Sequence, residues 1–133
     1  MKLLLDTHTF LWFIENHKNL SDTSRNIIES SQEVYVSIVT PWEIAIKTNI
    51  GKLSLSKPLE EIFPSEMKVN NFIVLPITFD HINTLGSLPF HHNDPFDRML
   101  IAQAKYLSLS IISRDTAFDH YSISRIWWNI KKV

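Results

Sequence analysis

Four carboxylates are placed where a chain could assemble a metal-binding acidic site: Asp6, Glu43, Asp97 and Asp115. Asp6 closes the apolar run Lys2-Leu3-Leu4-Leu5. Glu43 comes just after the run Val34-Tyr35-Val36-Ser37-Ile38, behind Thr40-Pro41-Trp42. Asp97 stands at the head of the clearest helical pattern, and Asp115 follows Arg114 after the apolar stretch Leu109 to Ser113. Four like charges gathered together repel one another unless protons or a cation compensate. Carboxylate oxygens suit hard divalent ions, so Mg2+ or Mn2+ is the expected cofactor. Such a site polarises a phosphate and activates water, which is the chemistry of nucleases.

Each acid also has a plainer role open to it. Glu43 fits a capping box with Thr40, and Asp97 sits where the dipole of a helix favours any first-turn acid. Asp115 could cap a short helix at Thr116 to His120. Asp6, closing a buried strand, has no evident structural task. Asp94 reads as the N-cap of the long helix with Pro95 at its first position, and Asp119 as a solvent-exposed acid. Lys47, Arg98 and Arg114 flank the acids, as phosphate contacts or as parts of a solvated face. His8 reads as a partly exposed loop residue beside Asp6. The six histidines form no zinc pattern, since His91 and His92 are adjacent and no H-E-x-x-H occurs.

Composition excludes much else. The chain contains no cysteine, so thiolate ligands, cysteine nucleophiles and disulfides are ruled out, and the cytoplasm is the default compartment. Two glycines, Gly51 and Gly86, cannot write a Gly-rich phosphate loop. No serine lies in a G-x-S-x-G elbow. Thirteen Lys and Arg against fourteen Asp and Glu leave a charge of −1, which argues against a binder of duplex DNA held by charge alone. The start Leu5-Asp6-Thr7-His8-Thr9 is similar to that of aspartyl-phosphate phosphatases. Those enzymes require a second Asp where His8 stands.

The elements that must position these residues follow from patterning. With 133 residues and 44% hydrophobic content, the chain is expected to form one domain over residues 1–133. Strands are predicted at Lys2–Leu5, Val34–Ile38, Ile73–Leu75 and Leu109–Ser113, with a short fifth at Arg125–Trp127. Helices are predicted over Thr9–Glu15, from Ser21, from Thr40 to a stop at Gly51, over Asp80–Leu85 and over Phe96–Leu107. A further helix around Leu59 to Met67 should be kinked or divided by Pro64. Near-continuous apolar strands alternating with helices predict an α/β fold, a three-layer α/β/α sandwich around a parallel sheet of about five strands. In such a sheet, the four acids face the edge where the strands end.

Met1-Lys2-Leu3-Leu4-Leu5-Asp6-Thr7-His8, Trp42-Glu43-Ile44-Ala45-Ile46-Lys47 with Gly51-Lys52-Leu53, Asp94 through Ala104, and Ile111 through Phe118 stand in order along the chain. Together these blocks resemble the PIN domain, in the branch containing the VapC-type toxins of bacterial toxin–antitoxin pairs. The resemblance implies a PIN-like five-stranded parallel sheet between helices. It also implies metal-dependent endoribonuclease activity with Mg2+ or Mn2+, and acids falling on Asp6, Glu43, Asp97 and Asp115. Its small hydroxyl residue near the last acid falls on Ser113, a further candidate substrate contact. The implied partners are an RNA substrate, a second copy of the chain as a homodimer, and a small antitoxin protein from an adjacent gene.

Two rival functions use parts of the same pattern. A metal-dependent phosphatase of small molecules would need the same acids and ignore RNA. A non-catalytic RNA-binding module of this fold would not need them, and none is missing. Fifteen aromatic residues exceed the evident needs of one small core. Phe10, Trp12, Phe13, Trp127 and Trp128 are therefore candidates for an interface.

Overall fold

Leu3, Leu4 and Leu5 are all fully shielded from solvent, which requires cover on both faces of the strand that carries them. In the computed structural model, which describes residues 1–129, that strand is β1 (Lys2–Leu5). It lies in the middle of a sheet with β2 (Glu33–Ser37), β3 (Ile73–Leu75), β4 (Ser110–Ile112) and β5 (Arg125–Ile126), in the order β3-β2-β1-β4-β5. Every pairing is parallel. Leu5 is level with Val36 on one side and Ile112 on the other, so β1, β2 and β4 end along one edge.

Alternation of side chains across the pleat divides the core in two. Leu3, Leu5, Val36 and Ile112 point to one face, where Phe10 and Phe13 of α1 (Thr7–Ile14) and Ile28 of α2 (Asp22–Ser30) cover them. Ile44 of α3 (Val39–Asn49) and Met67 of α4 (Leu59–Val69) complete that layer. Leu4 and Ile111 point to the other face, under Leu85 of α5 (Phe79–Gly86) and Leu100, Ile101 and Ala104 of α6 (Pro95–Leu107). The predicted three-layer sandwich is thus the observed one. Among the described residues, no helix is long and apolar enough to cross a membrane.

Several local expectations are corrected. The helix α1 begins at Thr7 rather than Thr9, because Asp6 accepts a hydrogen bond from Thr9 N–H and caps it. Thr40 lies inside the first turn of α3, which starts at Val39 without a side-chain cap, so the expected Thr40–Glu43 capping box is not formed. Gly51 follows the end of α3 with φ of +77°, the left-handed conformation that stops a helix there. Pro64 does not divide α4, which runs unbroken through it. Both Pro64 and Glu60 are exposed, so water can take the Glu60 carbonyl that the proline leaves without a donor. Phe10 and Phe13 are buried, and Trp12, Trp127 and Trp128 are half-buried. The exposed aromatic residues are Trp42, Phe79, Phe90 and Tyr106 instead.

Candidate metal centre

The parallel register carries the ends of β1 and β4 side by side, and the chain leaves each of them through an acid. Asp6 follows β1 directly. Its Oδ1 accepts the Thr9 N–H at 2.8 Å, while the Thr9 hydroxyl donates to the Ile112 carbonyl at 2.9 Å and ties α1 to β4. The acid therefore has a structural task after all, as a helix cap. Burial pushes the Asp6 carboxyl above the ordinary carboxylate range, partly offset by hydrogen bonds from Ser113 and Thr9. Ser113 is itself fully buried, and its hydroxyl accepts the Asp115 N–H at 3.0 Å. Its place is between two acids, holding their loop, rather than at the surface where a substrate would meet it.

Asp115 caps the 3-10 turn Thr116–His120, accepting the Ala117 N–H through Oδ1 at 2.9 Å, and remains half exposed. Glu43, only 3% exposed, is fixed at both oxygens. The Thr7 hydroxyl donates to Oε1 at 2.7 Å, and Lys47, one turn along α3, donates to Oε2. That hydrogen bond, the largest effect, raises the Lys47 ammonium above its usual range; Glu43, Asp94 and Asp97 charge add to it. The sequence offered Lys47 as a phosphate contact or as part of a solvated face; its ammonium is paired with Glu43.

Asp97 stands at the third position of α6. The cap is supplied by Asp94, whose Oδ1 accepts the N–H groups of Phe96 and Asp97 at 2.8 and 3.1 Å. The Asp97 side chain is thereby free to leave the helix. Burial, and then repulsion from Asp94, Asp6, Glu43 and Asp115 in turn, push its carboxyl up to about 8. Asp6, Glu43 and Asp115 thus each act on Asp97, although the four acids come from four junctions of the chain; the ligand atoms that lie within 4.8 Å of one another belong to Asp97, Asp115 and His92. A carboxyl in that condition demands either a proton or a cation, and an all-oxygen donor set suits a hard divalent ion.

The remaining predicted residues divide. Arg114 is exposed, its guanidinium 4.8 Å from the centre of the Trp12 ring. Together with His8 and Trp12 it walls a cavity of about 350 Å³ whose other walls are Asp6 and Asp115. Arg98 is not available in this way. It is buried, donates to the Pro89 carbonyl at 3.1 Å and the Tyr121 hydroxyl at 3.2 Å, and lies over the Phe90 ring. Asp119 is exposed as expected, but is held by Arg125 through both oxygens at 2.8 and 3.0 Å. A larger hollow of about 460 Å³ beside Asn16 and Arg25 includes none of the four acids.

One residue at the site escaped the sequence reading. His92 Nε2 lies 3.1 Å from Asp97 Oδ2 and 3.7 Å from Asp115 Oδ2. It is shielded from solvent, yet neither contact is a well-directed hydrogen bond. The other ring nitrogen, Nδ1, accepts the Asp94 N–H at 3.1 Å. A search for zinc-type histidine spacing passes over it. The usable signal was its place two residues before the cap of the helix that carries Asp97.

Residues 3–123 match the family model of the PIN domain. No curated protein matches the chain in sequence. Among solved structures, the fold is similar to VapBC2 from Rickettsia felis bound to a DNA fragment from its promoter. The TM-score there is 0.73, at 11% identity over 97% of this chain and 100% of the other. It is also similar to FitAcB from Neisseria gonorrhoeae, with a TM-score of 0.67 at 18% identity over 92% and 95% of the two chains. A toxin–antitoxin complex from Klebsiella pneumoniae aligns with a TM-score of 0.66, at 16% identity over 97% of this chain and 100% of its own. At such identities the likeness is one of fold.

Proposed function

The chain belongs to the PIN domain family, and from that premise we propose that it is a metal-dependent endoribonuclease and the toxin of a toxin–antitoxin pair. The observation that carries the chemistry is Asp97, whose carboxyl is driven up to about 8 by burial and by the acids around it. Asp6, Asp97 and Asp115 would hold one Mg2+ or Mn2+, directly or through water, with Glu43 completing the site. When bound, such an ion supplies positive charge for the scissile phosphate and makes water more acidic.

The chain's own residues supply the rest. Thr7 and Lys47 hold the Glu43 side chain in place, so that its carboxylate can orient the attacking water for in-line displacement at phosphorus. Arg114, exposed beside Asp6 and Asp115, offers a guanidinium to the phosphate as charge develops on its oxygens. Ser113 holds the Asp115 loop in place. The similar solved structures are toxin–antitoxin complexes, which supports a small inhibitory protein as partner. A homodimer is part of the same reading.

The test is incubation of purified protein with RNA in Mg2+, Mn2+ or EDTA. Cleavage is expected with either metal and is abolished by EDTA. The variant Asp6→Asn, which keeps shape and loses charge, should fold and lose activity. RNA left intact in both metals, with a phosphomonoester hydrolysed instead, would replace this reading by a phosphatase.

A further inference from the structure

His92 brings an imidazole nitrogen up to two of the acids, Asp97 and Asp115, and its surroundings define what it can do there. Nδ1 accepts the Asp94 N–H, which requires a lone pair on that nitrogen. The neutral ring therefore carries its proton on Nε2, between Asp97 Oδ2 and Asp115 Oδ2. An Nε2 that bears hydrogen has no lone pair for a metal. It is a donor, and the only acceptors described near it are the two carboxylates. Nε2 lies close to Asp97 at 3.1 Å and further from Asp115 at 3.7 Å, and is aligned with neither. The ring is held in place from behind by Phe118, at 6.2 Å between centroids, and by its own backbone N–H donating to Tyr121.

We propose that His92 is a positioning residue for the metal site, its Nε2–H set between Asp97 and Asp115 so that the two carboxylates are held facing one ion. The inference rests on the metal site proposed above, but not on RNA being the substrate. It links two acids that no strand or helix holds together: Asp97 rides on the start of α6, and Asp115 on the loop after β4. The Asp94 N–H selects the tautomer, so the residue that caps the helix also sets the direction of donation. Hydrogen bonds to metal-ligating carboxylates commonly govern affinity in this way.

The experiment is Mn2+ binding to the full chain without RNA, followed by electron paramagnetic resonance and calorimetry. His92→Phe keeps a ring against Phe118 and removes both nitrogens; His92→Gln keeps one donor and one acceptor. The expected result is an Mn2+ affinity lowered about 10–100-fold in the Phe variant. The Gln variant should recover most of it, and both should melt near wild type. His92→Asn, too short to span both acids, takes the place of the Phe variant if that fails to fold. Unchanged Mn2+ affinity in a folded Phe or Asn variant overturns the inference. So does a nitrogen coupling to Mn2+ that disappears with His92, which would make it a ligand. Wild-type protein that binds Mn2+ but leaves RNA intact refutes the nuclease reading and leaves His92 in place. Wild-type protein that binds no Mn2+ refutes both.

Discussion

At the scale of single residues, Asp97 concentrates the cost of building the site. Its carboxyl prefers a proton up to about 8, whereas an unfolded chain releases that proton near the ordinary value of 3.8. Between those two values the folded chain binds more protons than the unfolded one, so this group makes metal-free stability fall as pH rises. Melting in EDTA should therefore occur at a lower temperature near the upper end of that window than in its middle. Asp97→Asn should flatten the dependence and raise the melting temperature by several degrees near its upper end, since ~1 kcal/mol corresponds to about 4 °C at this size. A variant that melts with the wild-type pH profile would show that the acids do not strain one another. The importance of Asp97 was legible because it stands in the first turn of a helix, just after the Asp94 cap and Pro95. That of His92 was not, because nothing in its spacing records which side chains the fold brings to its Nε2. Arg98 misled for the same reason: adjacency to Asp97 along the chain puts its guanidinium towards Pro89 and Tyr121, on a different side of the helix.

At the scale of elements, helix starts do double duty. Asp6, Asp94 and Asp115 each cap the turn that follows, and two of the three are also proposed to bind metal. The division predicts different outcomes for neighbouring acids. Asp94→Ala should destabilise the protein to urea by about 1 kcal/mol through loss of the α6 cap, whereas Asp94→Ser should be close to neutral. Either variant, once folded, should still bind Mn2+; a folded Ser variant that does not would make Asp94 a ligand. Capping by Asp94 could be read from Asp94-Pro95 because the signal is local. The start of α3 could not, since a threonine before a proline looks like a cap whether or not the helix has already begun at Val39. The continuity of α4 through Pro64 likewise depends on which face of the helix meets water, and that is settled by packing.

At the scale of the whole molecule, α5 shows a mismatch between its two sides. His81 is buried and Leu85 packs into the core, while Phe79 and Ile82, three residues apart and hence on one stripe, stand 78% and 50% exposed. Exposed aromatic and aliphatic residues in a stripe are suited to cover by a partner. Light scattering at micromolar concentration is expected to give the mass of a dimer, and Phe79→Glu that of a monomer with its fold intact. A monomer in both removes the dimer from the proposed function. The sheet order β3-β2-β1-β4-β5 has a different consequence, one of timing. The first strand made is the central one, and its neighbour β4 is encoded almost a whole chain later. During translation Asp6 emerges early and then waits, without Asp97, Asp115 or the strand that will support their edge. In the nuclease proposed above, the acids of the metal site cannot meet until α6 and β4 have been made. The acidic edge is complete only once the last quarter of the chain lies beside the first strand.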